Sequence, residues 1–183
     1  MKIPEYLRKM RGNTAHGSPP RVGNEEILWS WIGAFIGITT VAWVDHLFFA
    51  EIDLLLMIGS LGASAVLLFG AARSPLAQPR NVLGGHILSA IIGVTCWKVL
   101  YPYPWLAESV AVATAIAVMH LTRTLHPPGG ATALIAVAGS AGIHNLGFWY
   151  VLIPATLGPV ILVVVALLFN NIPKSRRYPE VWF

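Results

Sequence analysis

Between Ile27 and Phe169 the chain is a succession of apolar runs separated by short polar or proline-bearing breaks, and that pattern confines it to a bilayer. The runs are Ile27 to Phe49, Leu54 to Ala72, Val82 to Leu100, Leu106 to Leu125, Gly129 to Gly142 and Leu146 to Phe169. Only 11% of the residues are charged, against about 25% in a soluble domain, too few for a water-facing surface. The expected fold class is all-α integral membrane, with about six hydrophobic segments, one or two of them broken or half-helices. All but the fifth approach the ~20 residues that cross a hydrocarbon core of ~30 Å. The fifth has 14 residues and reaches about 21 Å, as a half-helix or a span completed by its flanks. The sixth is interrupted by Pro154 and by Gly158-Pro159.

The breaks divide the chain into a polar amino-terminal tail (1–26), a transmembrane domain (27–170) and a short tail (171–183). The first tail lacks the features of a signal peptide. Its Ile3, Leu7 and Met10 recur at helical spacing among basic residues, which suits either an interfacial helix or a solvated tail. Asn81 is the expected N-cap of the third run. With the amino terminus cytoplasmic, eleven of the twelve lysines and arginines fall on the inner side, Lys98 excepted. Asp45, Glu51, Asp53 and Glu108 fall outside. The positive-inside rule then predicts six crossings and two cytoplasmic termini. Three runs per half predict an inverted 3+3 repeat. Gly62-Ala63-Ser64-Ala65 matches Gly130-Ala131-Thr132-Ala133 at an offset of 68 residues.

The chemistry concentrates at His126-Pro127-Pro128-Gly129-Gly130. A proline break before an apolar helix leaves backbone amides at the helix start. Those of Gly130, Ala131 and Thr132, with the positive end of the dipole, are expected to suit an anion. Gly62, Ala63 and Ser64 offer the same from the other half, and the Ser64 and Thr132 hydroxyls add donors. The alternative is an ordinary turn at the membrane surface. His120, Arg123 and His126 are expected on one third of a helical circumference. Arg123 and Arg80 either draw anions in or snorkel to headgroups. His86, following Gly84-Gly85, lies on a substrate or proton path, or is a buried ring bonded to a carbonyl.

No histidine pair shows the i, i+4 spacing of a helical zinc motif, and Cys96 is the only cysteine. No metal, cofactor or disulfide is therefore expected. Phosphate-loop, dinucleotide and serine-hydrolase motifs are absent, so the chain is not expected to be an enzyme.

Three stretches carry a resemblance: Ser74-Pro75-Leu76-Ala77-Gln78-Pro79-Arg80-Asn81, Gly84-Gly85-His86, and Leu121-Thr122-Arg123-Thr124-Leu125-His126-Pro127-Pro128-Gly129-Gly130-Ala131-Thr132-Ala133-Leu134. Across roughly 27–170 the chain resembles the HPP family of integral membrane proteins. Members in cyanobacteria and chloroplasts are implicated in nitrite transport, and others are fused to CBS regulatory domains. The family is usually described with four spans, against six segments here. The resemblance implies a channel or secondary transporter for a small monovalent anion, nitrite preferred, in a cyanobacterial-type bacterial inner membrane. The expected substrate-binding residues are Ser64, Arg80, His86, Arg123, His126, Gly129, Gly130 and Thr132. Expected partners are the anion and the lipid bilayer, with homo-oligomerisation left open and no nucleic acid. Two other readings stand beside it: a membrane-embedded metal or heme enzyme using the histidines, and a non-transporting regulatory or scaffold subunit.

Overall fold

The computed structural model describes residues 3–10, 20–49 and 56–182. Every regular element among them is helical: α1 (Ile3–Met10), α2 (Asn24–Phe48), α3 (Gly59–Ala65), α4 (Pro79–Leu100), α5 (Pro104–Leu121), α6 (Pro127–Ala138), α7 (Ala141–Leu146), α8 (Trp149–Leu152) and α9 (Leu157–Phe169). A wider π-type turn over Val66–Gly70 prolongs α3. The protein is thus an all-α membrane protein.

Among the described residues four segments are long and apolar enough to cross a membrane: Asn24–Phe48, Pro79–Leu100, Pro104–Leu121 and Trp149–Phe169. Two are shorter, Gly59–Gly70 and Pro127–Ala138. The second of these is short, as the length of its apolar run predicts. The first corrects the expectation of a full span from Leu54 to Ala72. Ile58 is still extended (φ −111°, ψ 150°), so the helix starts only at Gly59. Ala71 (φ −141°, ψ 45°) then ends it. Each short segment reaches about 18 Å. Between α8 and α9 the chain leaves the helix at Ile153 and Pro154, as the Pro154 break predicts. Gly158-Pro159, expected as a second interruption, sits instead inside the first turn of α9, where proline costs no intrahelical donor.

The capping expectation at Asn81 is also corrected. Helix α4 begins at Pro79 with Gln78 as N-cap, because proline's fixed φ already suits the first helical position. Asn81 Nδ2 donates instead to Leu125 O, at 2.9 Å.

Small residues set the packing. Gly85, Ser89 and Gly93 form one stripe of α4, a turn apart and buried. A Cβ on Gly93 would lie 2.6 Å from Ala133 O, and one on Gly129 would lie 2.8 Å from Gly85 O. Helices α4 and α6 therefore meet backbone to backbone, as small-residue stripes allow in membranes. Ala107, Ala111, Ala115 and Met119 form the buried stripe of α5. Helix α2 buries only Gly33, Gly37 and Val41. The Phe69 ring fills the space that side chains at Gly33 and Gly37 would need. Exposed Trp31, Phe35, Trp43 and Phe48 line the rest of α2, a surface suited to lipid.

Basic side chains gather at one end of the molecule. Arg73 Nη2 donates to Ser175 O at 2.6 Å, and Arg80 Nη2 donates to Thr122 O at 2.9 Å. Arg176 pairs with Glu26 there. Exposed Tyr101, Tyr103 and Trp105 mark the opposite end of α4 and the start of α5. The segment after α9 lies against the body rather than away from it. Tyr178 is buried and its hydroxyl donates to Ala77 O at 2.9 Å. Burial pushes the Tyr178 phenol above its ordinary value.

Candidate functional site

Pro127 disfavours helical backbone at the residue before it, and His126 is extended at φ −141°, ψ 105° as the N-cap of α6. That conformation sends its ring away from α6 toward α3. Gly85 makes room for it: a Cβ there would come within 2.6 Å of His126 Cβ. His86 follows on the buried face of α4. Helix α3 contributes Ser60 and Ser64, one turn apart and both buried. Helix α6 contributes Thr132, also buried.

These side chains form one continuous cluster. Ser64 Oγ lies 2.8 Å from His86 Nε2 and 2.9 Å from His126 Nε2. The two ring centroids are 5.1 Å apart. His86 Nδ1 lies 2.7 Å from Thr132 Oγ1, which is 2.9 Å from Ser60 Oγ. At the other end His126 Nδ1 donates to Leu76 O, at 2.8 Å. Tyr150 Oη donates to Thr132 O at 2.9 Å. Ser64, His86, His126 and Thr132 each have 0% exposure, so the bonds compete with no solvent. Among the described residues no buried side-chain nitrogen or oxygen lacks a partner. Each bond lost here would strand a desolvated polar group at about 1–3 kcal/mol.

Of the residues expected at the site, the structure brings together Ser64, His86, His126 and Thr132. It holds the other four apart from them. Arg80 is engaged by the Thr122 carbonyl. Arg123 is exposed, in a left-handed turn at φ 57°. Helix α5 ends at Leu121, so His120, Arg123 and His126 do not share the helical arc expected of them. Gly129 serves the α4–α6 contact. Gly130 faces outward, on an apolar groove of about 600 Å³ that it lines with Val112, Ile116, His120 and Leu134. Nor does the start of α6 offer a row of unused amides. Pro127 and Pro128 carry no N–H, and Gly129 N donates to His126 O at 2.8 Å. From Ala131 onward the amides enter the helix's own ladder, since α6 begins at Pro127.

Ser60, Tyr150 and the Leu76 carbonyl belong to the cluster without having been expected there. Ser60 had a signal, standing four residues before Ser64 on the same helical face. Tyr150 and Leu76 had none. Among the described residues no group of three or more histidine, cysteine, aspartate or glutamate side chains could hold a metal ion. The imidazoles keep company with hydroxyls and carbonyls.

Over residues 19–179 the chain matches the family model described as HPP, transmembrane region. Two transmembrane proteins of Dictyostelium discoideum are also similar. One is 43% identical over 98% of the chain, the other 39% identical over 100%. Both are longer: the chain spans 58% and 65% of their lengths. Their source lends no support to a bacterial origin. No solved structure matches. The family match covers every helix from α2 to α9 and the whole imidazole–hydroxyl cluster, and the chain belongs to the HPP family of transmembrane proteins.

Proposed function

We propose that the chain is a non-enzymatic membrane transport protein for a small monovalent anion, nitrite preferred, with a path past the imidazole–hydroxyl cluster. One observation carries this reading: two short helices, α3 and α6, meet around a cluster of buried hydroxyls and imidazoles. Polar groups are expensive at membrane depth and concentrate on substrate or proton paths. Short helices that end inside a membrane protein must expose their termini to protein or to a water-lined cavity. Many transporters place their sites at such helices. The cluster offers an anion what it needs, imidazole N–H and hydroxyl donors without a fixed deep cation that would trap it. Ser64, His86, His126 and Thr132 are its binding groups in this reading. Arg80 and Arg123 collect anions at the basic end. By the positive-inside rule that end is cytoplasmic, with both termini; in a bacterium the membrane would be the inner one.

The inverted repeat is part of the same reading. At the offset of 68 residues Ser60 corresponds to Pro128 and Ser64 to Thr132. A twofold axis between α3 and α6 would exchange the pair Ser60–Thr132 with the pair Pro128–Ser64. The first pair is bonded at 2.9 Å, and Ser64 bonds His126, two residues before Pro128.

The test is nitrite uptake into proteoliposomes, with nitrate, formate and chloride as competitors. Uptake is expected to exceed that of protein-free liposomes and to fall at least tenfold in folded, monodisperse His126→Ala and Thr132→Val proteins. No uptake by the native protein would overturn the reading and favour a scaffold. Metal or heme in the purified protein, by elemental analysis and absorption, would favour the enzyme.

A further inference from the structure

We propose that His126, Ser64, His86, Thr132 and Ser60 form a proton relay, anchored on Leu76 O, between the turn before α4 and the start of α3. The inference rests on the transport reading for its use, but on hydrogen-bond geometry for its existence. Leu76 O can only accept, so His126 Nδ1 carries a hydrogen. In neutral His126 the Nε2 is then bare and accepts from the Ser64 hydroxyl at 2.9 Å. That hydroxyl has one hydrogen. The 2.8 Å bond between Ser64 and His86 must therefore be donated by His86 Nε2. Neutral His86 is left with a bare Nδ1, which accepts from the Thr132 hydroxyl at 2.7 Å. In this state Thr132 turns toward His86 the one hydrogen that it otherwise gives to Ser60 Oγ, 2.9 Å away, or to Pro128 O. The four hydrogens from Thr132 to His126 then point toward Leu76, and the two histidines are opposite tautomers.

One proton added at the Thr132 end reverses the order. Thr132 Oγ1–H breaks as His86 Nδ1–H forms, and the added proton replaces it on Thr132. His86 Nε2–H breaks as Ser64 Oγ–H forms, and the original Ser64 Oγ–H breaks as His126 Nε2–H forms. With His126 protonated on both nitrogens, Ser64 accepts from His126 Nε2 and donates to His86 Nε2. His86 then donates through Nδ1 to Thr132, and Thr132 donates to Ser60 or to Pro128 O, 3.3 Å away. Transfer between the rings needs two coupled steps. His126 Nε2–H breaks as Ser64 Oγ–H forms, and the original Ser64 Oγ–H breaks as His86 Nε2–H forms. Two bonds break, two form, and the positive charge passes from one ring to the other without exchange with water. Two charged rings 5.1 Å apart would repel strongly in a buried site, so the pair carries one extra proton at a time.

Both ends approach the surface. Leu76 is half-buried beside exposed Pro75, and Ser60 follows exposed Gly59. Among the described residues no charged group interrupts the relay. On the packed elements Arg80 is held by Thr122 O, and Arg73 by Ser175 O and Glu180. Lys98 and His120 are exposed, Glu108 is half-buried, and His144 stacks on Trp97. The Tyr150 hydroxyl is committed to Thr132 O. None of these bonds either ring.

Two measurements test the relay. Nitrogen-15 NMR of histidine-labelled native protein, assigned with His86→Gln and His126→Gln, is expected to show Nδ1–H at His126 and Nε2–H at His86 in the neutral form. An Nδ1–H tautomer at neutral His86 would overturn the proposal. The second places the protein in liposomes containing pyranine and drives protons inward with a valinomycin–potassium potential, with and without nitrite. Ser64→Ala is expected to reduce proton entry at least tenfold, and Ser64→Thr, which keeps the hydroxyl, to restore most of it. Proton entry at the native rate in Ser64→Ala would overturn the relay; should that variant not fold, the native tautomers decide. Ser64-dependent proton entry with no nitrite flux would uphold the relay and defeat the anion reading.

Discussion

Arg176 Nη2 lies 2.7 Å from Glu26 Oε1, fastening the segment after α9 to the first turn of α2. The same guanidinium donates to Ser30 Oγ and to the buried Asn170 Oδ1. Asn170 Nδ2 donates in turn to Leu68 O, at 2.9 Å. Removing the arginine strands Asn170 Oδ1. Arg176→Ala is expected to lower stability in detergent by about 1–3 kcal/mol. Arg176→Lys is expected to restore little, because a point charge cannot serve these divergent acceptors. Thermal unfolding followed by tryptophan fluorescence checks both; a lysine variant as stable as the native protein would show that charge alone suffices.

Gly93→Ala is expected to destabilise by about 1–3 kcal/mol through overpacking, although alanine is the better helix former by about 1 kcal/mol. The new Cβ would meet Ala133 O at 2.6 Å and Ala136 Cβ at 2.7 Å. Gly130→Ala is the control, since its Cβ would find only Val112 Cγ1, at 3.9 Å. Equal melting temperatures for the two variants would refute the tight seam.

Single cysteines introduced into a Cys96→Ser background report sidedness. Ser175→Cys and Arg123→Cys are expected to react with an impermeant maleimide from one face of the membrane, and Tyr103→Cys from the other. All three positions are exposed. Asp53, a natural choice for the outer face, lies outside the described residues. Labelling of Tyr103→Cys and Ser175→Cys from the same face would defeat the proposed topology.

The Tyr178 hydroxyl gives stability a pH dependence of known sign. Burial raises its folded pKa above the ordinary value, about 10 in the unfolded chain. Its contribution is therefore complete below about pH 10 and is lost as pH rises through the folded value. Tyr178→Phe is expected to cost about 1 kcal/mol near neutral pH, through the bond to Ala77 O. That difference should shrink above about pH 10. Melting curves of both proteins at several pH values measure it; a gap that widens with pH would contradict the assignment.

Much of the cluster was legible because its members stand beside breaks. His126 precedes two prolines, His86 follows two glycines, and Ser64 and Thr132 occupy matching places in a repeated tetrapeptide. Composition could not show which charged neighbours would join them. Arg80 and Arg123 are close in sequence to His86 and His126, yet a backbone carbonyl holds one and a left-handed turn exposes the other. The shortness of α3 was hidden for another reason: an apolar run reads alike whether its first residues are helical or extended, as Ile58 is. The amides expected to be free at Ala131 and Thr132 were misjudged because α6 already begins at Pro127, so the carbonyls of Pro127 and Pro128 stand four residues before them.

The contact at Gly93 and Gly129 also decides where this molecule can deform. Where two main chains touch with no side chain between them, there is no rotamer to switch and no slack to absorb a slide. Helices α4 and α6 must move as one stiff plate. Helix α3 meets that plate through hydroxyls and rings whose bonds can reverse without any heavy atom leaving its place. Any slack therefore lies between α3 and the plate, where the contact runs through side chains and not through main chain.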